Sequence, residues 1–216
     1  MPQSEASCDI SIPGVRLQGE LRVPDEPRGI VVFAHGSGSS RHSPRNQWVA
    51  DYLRQQSLGT LLFDLLSADE ERIDRITAEY RFDIELLARR LVDVSDWLLE
   101  REDPATSIGY FGSSTGAAAA LVAATRTNQT IAAIVSRGGR PDLAGDALYS
   151  VASPTQLIVG ANDPEVLSLN RAALNCLACE KELVVIDGAT HLFEEPGTLA
   201  DAASHARTWF VSHFPQ

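Results

Sequence analysis

The pentapeptide Gly112-Ser113-Ser114-Thr115-Gly116 follows an apolar run, residues 107–111, and precedes an alanine-rich stretch, residues 117–124. This order predicts a strand, a sharp turn and a helix. The spacing Gly-x-Ser-x-Gly in that setting is typical of a nucleophile elbow with Ser114 at its tip. The elbow strains the backbone of the serine and brings the strand and the helix close together, which explains a glycine on either side. Because so short a pattern also arises by chance, its interpretation depends on the residues at the ends of the other strands.

The composition and charge are those expected of a soluble globular protein. The chain has 216 residues, of which 44% are hydrophobic and 22% charged, and its length predicts one domain over residues 1–216. A net charge of −11 disfavours binding to nucleic acid or to anionic membranes. Residues 1–5 lack the basic and apolar regions of a signal peptide, and no apolar run approaches the roughly 20 residues of a membrane span. A cytoplasmic protein is therefore expected.

The cysteines do not indicate a disulfide framework. Cys8, Cys176 and Cys179 are an odd number. The last two have CxxC spacing, but neither a second pair nor a suitable histidine accompanies them, as a redox or zinc site would require. Free, reduced thiols are the simpler interpretation.

Short apolar segments alternate with helical segments along most of the chain. Two strands joined at Pro13-Gly14 begin it, and the second alternates apolar and polar residues as an antiparallel edge strand does. Further strands are predicted at residues 30–34, 60–64, 107–111, 131–136, 155–160 and 182–186. Helices are predicted at residues 46–56, 79–99, 114–126, 165–177 and 199–213, with Pro104 marking the end of the second. The charged connection at residues 65–77 shows no periodic pattern.

This alternation predicts the fold class. Strands alternating with helices after an antiparallel start favour an α/β fold with a mainly parallel sheet. Right-handed crossovers then place helices on both faces of the sheet. No insertion between the strands is long enough to form a large lid.

Polar residues follow three of the predicted strands, at the edge of the sheet where ligands bind in such folds. They are Ser114, Asp163 and His191, in that order along the chain. A serine hydroxyl needs a base to take its proton, and an imidazole with a pKa of about 6.5 suits that task. A carboxylate fixes the imidazole tautomer and stabilises the imidazolium. The three residues are therefore a candidate catalytic triad, in the order typical of α/β-hydrolases.

Each of the three also has an ordinary structural interpretation. Ser114 and Asp163 could cap the helices that follow them, and His191 could be a surface loop residue. Other strand ends supply a rival base and two rival acids: His35, Asp64 and Asp142.

The loop after residues 30–34 begins with His35-Gly36-Ser37-Gly38 and is expected to face the elbow. The backbone amides of Ser37 and Thr115 would form the oxyanion hole. No lysine follows as a phosphate-binding loop would need, so that function is not expected. Arg41 and Arg137 lie just after strands bordering the site and are candidate ligands for a substrate carboxylate or phosphate. The alternative is that they pair with nearby acidic side chains.

Three stretches together resemble the α/β-hydrolase superfamily: residues 112–116, Ala161-Asn162-Asp163 and Gly188-Ala189-Thr190-His191. The small size and the absent lid resemble its dienelactone-hydrolase-like branch, including the hydrolase domains found alone or fused to phosphoribosyltransferases. The resemblance runs from about Ile30 to the C-terminus. Dienelactone hydrolases proper carry a cysteine nucleophile where this chain has Ser114, which favours ordinary esters over dienelactone.

The sequence therefore predicts a serine hydrolase that cleaves a carboxylic ester, thioester or lactone through an acyl-enzyme on Ser114. The expected partner is a small-molecule ester or lactone, which could be anionic, and neither a metal nor an organic cofactor is implied. Two alternatives stay open. The same triad could serve an acyltransferase, or the chain could be a non-catalytic binding or regulatory module that retained the fold.

Overall fold

The structure is a computed structural model that describes residues 6–102 and 106–215. The expectations for residues 1–5 and for Pro104 concern positions outside these ranges.

The described residues form one eight-stranded sheet with the strand order β1-β2-β4-β3-β5-β6-β7-β8. The strands are β1 Ala6–Ile12, β2 Val15–Arg22, β3 Gly29–Ala34, β4 Leu58–Phe63, β5 Ile108–Ser113, β6 Ile131–Arg137, β7 Thr155–Gly160 and β8 Lys181–Ile186. β2 pairs antiparallel with both β1 and β4, and all the other neighbours are parallel. The predicted antiparallel start and mainly parallel sheet are confirmed.

Helices cover both faces of the sheet. They are α1 Pro44–Arg54, α2 Ala68–Thr77, α3 Ile84–Arg101, α4 Thr115–Arg126, α5 Pro164–Cys176 and α6 Thr198–His213. One apolar core lies between the sheet and α3, α4 and α5, and a second lies between the sheet and α1 and α6. A 3₁₀ segment, Pro141–Ser150, follows β6. The sheet order and the helices on both faces confirm the predicted α/β-hydrolase architecture, and no insertion of lid size interrupts the strands within the described ranges.

The prediction of a patternless connection at residues 65–77 is wrong, because this stretch contains α2. Its start is a capping box: the Ser67 hydroxyl accepts from the Glu70 amide at 3.2 Å, and the Glu70 carboxylate accepts from the Ser67 amide at 2.8 Å. Ile73 and Ile76 are 40% and 86% exposed, so α2 has no buried apolar stripe for a periodicity argument to find.

Of the parallel strands that lead to the loops, β3 and β5–β7 are almost fully buried and largely apolar, as double-sided burial requires, whereas the edge strand β8 is partly exposed. Their carboxyl ends all lie at the same edge, and the loops after them meet there. Within the described ranges, no helix combines the length and the apolar character needed to cross a membrane.

Candidate active site

Ser114 occupies the sharp turn between β5 and α4 with a strained backbone. Its φ of 50° and ψ of −122° lie in a region that residues with a β-carbon rarely adopt. Ser114 precedes the first residue of α4, yet its side chain makes no capping hydrogen bond. The geometry is therefore that of the elbow, and the hydroxyl is not engaged as an ordinary helix cap.

The two flanking glycines are required by close packing. A Cβ on Gly112 would lie 2.4 Å from the Cα of Ala117, and a Cβ on Gly116 would lie 2.2 Å from the carbonyl oxygen of Ala34. Both separations are far inside van der Waals contact. The start of α4 can thus approach β5 and the end of β3 only because neither residue has a side chain.

Asp163 and His191 meet at the ends of β7 and β8. Asp163 precedes Pro164, the first residue of α5, but its carboxylate makes no capping hydrogen bond. It accepts instead from Nδ1 of His191, with 2.7 Å between Oδ2 and the ring nitrogen. The imidazole remains 41% exposed, whereas the carboxylate is 14% exposed. This contact leaves Nε2 of His191 as the ring nitrogen that is free to act on a substrate or a nucleophile.

The loop that carries His191 is fixed by Glu195, which sequence analysis did not identify as a site residue. Thr190, the residue before His191, donates its hydroxyl to Glu195 at 2.6 Å and its amide at 3.1 Å. These two hydrogen bonds, that of the side chain first, lower the pKa of Glu195. The carboxylate is therefore ionised at neutral pH and holds the turn in place.

The loop after β6 contacts both Ser114 and His191. The amide of Arg140 donates to the carbonyl oxygen of Ser114 at 3.0 Å. Two residues earlier, a Cβ on Gly138 would lie 3.8 Å from Cε1 of the His191 ring. The elbow and the histidine thus lie beside the same short loop.

The rival base has a structural role. The Nδ1–H of His35 donates to the Gly36 carbonyl at 2.9 Å, and its Nε2 accepts from the Leu65 amide at 3.1 Å. Burial lowers the pKa of His35, so the ring is neutral. Both ring nitrogens are engaged, which leaves none for proton transfer with a substrate.

The two rival acids are bound to arginines. Asp64 accepts from the backbone amide of Arg41 at 2.8 Å and also forms an ion pair with its guanidinium. Asp142 accepts two hydrogen bonds from Arg140, at 2.9 and 2.8 Å. Among the predicted acids, Asp163 is the one that contacts a histidine.

The predicted oxyanion residues line one small depression beside the elbow, together with Gly36, Gly38 and Arg81. Thr115 is the first residue of α4, and amides in the first turn of a helix have no acceptor within the helix. The loop that contains Ser37 presses against the elbow, since a Cβ on Gly36 would lie 3.0 Å from the Cβ of Ser114. Ser37 and Thr115 are therefore next to the nucleophile candidate, where their amides could serve an oxyanion.

The structure places Arg41 and Arg137 in different surroundings. Arg41 is paired with Asp64, which is the alternative considered for it, and lines a neighbouring cavity. Arg137 is buried, and its Nη2 donates to the side-chain oxygens of Ser113 and Asn46 at 3.1 and 3.2 Å. A substrate-binding role for either residue stays a prediction, and neither side chain extends freely into the depression beside the elbow.

Arg81, which the sequence did not single out, lines that depression instead. Its Nη1 lies 4.0 Å from the position of a Cβ on Gly38, in the predicted oxyanion loop. Asp74, which is 1% exposed, orients the guanidinium by accepting from Nε at 2.6 Å. Burial opposes ionisation of Asp74, but hydrogen bonds from the amides of Arg81 and Tyr80 and from the guanidinium lower its pKa overall. No sequence signal marked Arg81, because its position depends on α2.

The described residues offer no metal centre. Residues 6–102 and 106–215 contain no group of three or more His, Cys, Asp or Glu side chains placed to hold a metal ion. Cys176 and Cys179, which have the CxxC spacing, are free thiols.

Comparison with known proteins identifies relatives of the chain, although no protein-family model matches it. A crystal structure of a dienelactone hydrolase from Anabaena variabilis is 51% identical, with a TM-score of 0.96 and 99% of each chain covered. XC6422 from Xanthomonas campestris, described as a serine hydrolase without a lid, is 20% identical, with a TM-score of 0.79 and coverage of 100% of this chain and 98% of the other. At that identity the likeness shows the fold alone.

Two Mycobacterium tuberculosis proteins, from strains CDC 1551 and H37Rv, are 57% identical over 200 residues. Their names assign them to the phosphoribosyl transferases. The match covers 92% of this chain but 44% of each relative, so the chain spans less than half of their length. The expected resemblance to hydrolase domains fused to phosphoribosyltransferases is thereby confirmed. Given the 51% identity over nearly the whole chain to the Anabaena variabilis enzyme, the protein belongs to the dienelactone hydrolase family, hydrolases of the α/β-hydrolase fold.

Proposed function

We propose that the protein is a serine hydrolase that cleaves a carboxylic ester, thioester or lactone through an acyl-enzyme on Ser114. The observation that carries this proposal is the hydrogen bond of 2.7 Å between Asp163 and His191, in place of the helix cap that Asp163 could have formed. The strained backbone of Ser114 at the end of β5 supports it.

The reaction follows from the chemistry of these side chains. His191 accepts the proton of Ser114 through Nε2 as the hydroxyl oxygen attacks the carbonyl carbon. The carbonyl electron pair moves to oxygen, where the amides of Ser37 and Thr115 can bind it. Collapse of this intermediate expels the alcohol, which takes the proton from His191. Water then attacks the acyl-enzyme by the same sequence of proton transfers, releases the acid and restores Ser114.

Asp163 has two tasks in this scheme. Its hydrogen bond to Nδ1 keeps the proton of the neutral ring on that nitrogen, so Nε2 presents a lone pair to the hydroxyl. Its charge also stabilises the imidazolium that forms during attack. The carboxylate is largely buried and the imidazole partly exposed, which suits a fixed anion and a base that substrate can reach.

Arg81, beside the predicted oxyanion loop, is a candidate contact for an anionic group of the substrate. Arg81 faces the predicted oxyanion loop with its Nη1, while Asp74 holds the rest of the guanidinium. A guanidinium oriented in this way can donate to a carboxylate with little loss of side-chain freedom. We infer that Arg81, rather than Arg41, is the arginine that contacts an anionic substrate.

Covalent labelling tests the nucleophile. A fluorophosphonate probe is expected to form a stoichiometric adduct with the wild-type protein. The adduct should be absent from Ser114→Ala and present in Ser136→Ala. Ser136 is a matched control because it lies near the end of the adjacent strand β6 and its hydroxyl is buried. Mass spectrometry of the intact protein and of the labelled peptide reads out the result. An unlabelled wild type, or a labelled Ser114→Ala protein, would contradict the proposed reaction.

A further inference from the structure

Arg137 is a buried cation without a carboxylate partner among the described residues. It is 7% exposed, although arginines are almost never fully buried unless they are paired. Arg41, Arg81 and Arg140, on loops around the same edge of the sheet, each pair with an aspartate. Burial, aided by the charge of Arg45, lowers the pKa of Arg137 to about 10, so its guanidinium is protonated at neutral pH.

Neutral groups surround the guanidinium. Nη2 donates to Ser113 Oγ and Asn46 Oδ1, at 3.1 and 3.2 Å. Cζ lies 5.9 Å from the ring centre of Phe111 and 5.7 Å from that of Phe193, within the range of cation–π attraction. Within the described part of the chain, Nε and Nη1 have no hydrogen-bond acceptor. The positive charge is therefore solvated in part but not neutralised.

Arg137 lies at the end of the strand beside the proposed nucleophile elbow. Arg137 ends β6 and is in register with Ser113, the last residue of β5, which immediately precedes Ser114. The next residue, Gly138, lies beside His191, since a Cβ built on it would be 3.8 Å from Cε1 of the ring. Arg137 thus binds the residue before the proposed nucleophile, and its own chain neighbour lies beside the proposed base.

An uncompensated buried charge lowers stability, so a role in folding does not account for it. Removing a cation from water is costly, and apolar groups of similar volume are often tolerated at least as well in such positions. In a poorly solvated site, however, a fixed positive charge favours negative charge that develops nearby during a reaction. The proposed acyl transfer develops such a charge on the carbonyl oxygen of the substrate.

We propose that Arg137 is a positioning residue whose uncompensated charge, held against Ser113, favours the anionic tetrahedral intermediate formed on Ser114. The inference rests on the proposed acyl-enzyme reaction. Arg137 forms no bond to the substrate and transfers no proton. The chemical steps stay as described: Ser114 Oγ bonds to the carbonyl carbon, the electron pair moves to the oxygen and the proton moves to His191. Arg137 lowers the energy of the tetrahedral intermediate that these steps form.

The test compares Arg137→Met, which keeps the length and removes the charge, with Arg137→Lys and Arg137→Gln. With p-nitrophenyl butyrate and a p-nitrophenyl ester that carries a carboxylate, Arg137→Met is expected to lower kcat about 10- to 100-fold. KM for both esters stays within about twofold, because the interaction is made in the transition state. Tm stays at or above that of the wild type. Arg137→Lys should retain more of kcat than Arg137→Met, whereas Arg137→Gln, which keeps an NH₂ donor but no charge, should lose as much kcat as Arg137→Met.

Arg45→Met is the matched control. Arg45 is the neighbouring cation, but it is partly exposed and pairs with Glu194 at 3.0 Å, so its removal is expected to change kcat less than about twofold. The proposal would be overturned if Arg45→Met lost as much kcat as Arg137→Met, or if Arg137→Met kept the wild-type kcat. It would also be overturned if Arg137→Lys retained no more kcat than Arg137→Met.

Three further outcomes would also overturn the inference. If Arg137→Met raises KM for the anionic ester alone, Arg137 binds substrate. If it lowers Tm or fails to fold while Gln retains both Tm and kcat, the residue is structural. If Gln restores kcat as well as Lys, the hydrogen bond to Ser113 matters and the charge does not. A wild type that neither hydrolyses the esters nor labels with fluorophosphonate overturns the proposed function itself, whereas an active wild type with any of the preceding results overturns this inference alone.

Discussion

Asp163→Asn is expected to lower kcat about 1000-fold. The short contact between Asp163 Oδ2 and His191 Nδ1, 2.7 Å, places the two charge centres of the carboxylate–imidazolium pair about 4 Å apart. At an effective dielectric constant of about 20, suitable for a partly exposed pair, their attraction is about 4 kcal/mol. Each 1.36 kcal/mol changes a rate about tenfold, which gives the factor of about 1000.

The neutral amide has a second effect in the same direction. Its NH₂ group can face Nδ1 as a donor, which favours the tautomer with the proton on Nε2. That tautomer cannot accept the proton of Ser114. Stability should change little, because the Asp163 carboxylate does not cap α5. We therefore expect KM to stay within about threefold and Tm within about 4 °C of the wild type.

The assay is steady-state hydrolysis of p-nitrophenyl butyrate, with folded protein quantified by circular dichroism. Asp142→Asn is the matched control. Asp142 follows β6, the strand beside β7, and it binds Arg140 and contacts no histidine in the described structure. Its kcat should stay within about threefold of the wild type. If Asp163→Asn keeps more than about a tenth of kcat, or if Asp142→Asn loses as much, the assignment of Asp163 is refuted.

Two further predictions concern the arginine beside the elbow and its partner. At pH 7, Asp74→Asn should cost about 2–3 kcal/mol, allowing for the partial exposure of Arg81, and so lower Tm by about 4–12 °C. The pKa of Asp74 lies below its ordinary value of 3.8, so this stabilisation is present above about pH 4 and is lost as the pH falls through the folded-state pKa. Thermal melts should therefore show the difference in Tm between wild type and Asp74→Asn shrinking in acid. A difference in Tm that does not change with pH would contradict this prediction. Arg81→Gln should raise KM about tenfold for esters that bear a carboxylate and leave KM for neutral esters unchanged. Arg72→Gln, at an exposed arginine, controls for the general loss of one positive charge. Equal effects on both kinds of ester would argue against anion binding by Arg81.

The sheet and the triad candidates were accessible from sequence because they depend on short-range patterns. Unbroken apolar runs identify buried strands, and parallel strands bring their carboxyl ends together whatever the loops contain. Ser114, Asp163 and His191 could be placed near one another by that rule alone. The contact between Asp163 and His191 in the structure is what the rule predicts for residues after adjacent strands.

α2 and Arg81 could not be placed in the same way. α2 starts with a capping box that the sequence displays, Ser67 with Glu70, but its apolar residues are exposed and no periodicity supports the helix. Arg81 lies after α2, so its approach to Gly38 depends on an element that was not predicted. The ion pairs could not be predicted from sequence either. Arg41 and Asp64 are 23 residues apart, and they pair because of how the loops after two strands are folded.

The arginines around the site show why proximity to a strand end does not decide function. Topology places Arg41, Arg81 and Arg137 near one edge of the sheet, but the acidic residues of the loops determine how much charge each contributes. Asp64 pairs with Arg41 and Asp74 pairs with Arg81, whereas no carboxylate of the described residues reaches Arg137. In a chain with 29 acidic residues and 18 basic ones, carboxylates are abundant, so a buried arginine without one is a costly exception. An exception of this kind at the end of the strand beside the elbow is best explained by the negative charge that the proposed reaction develops there.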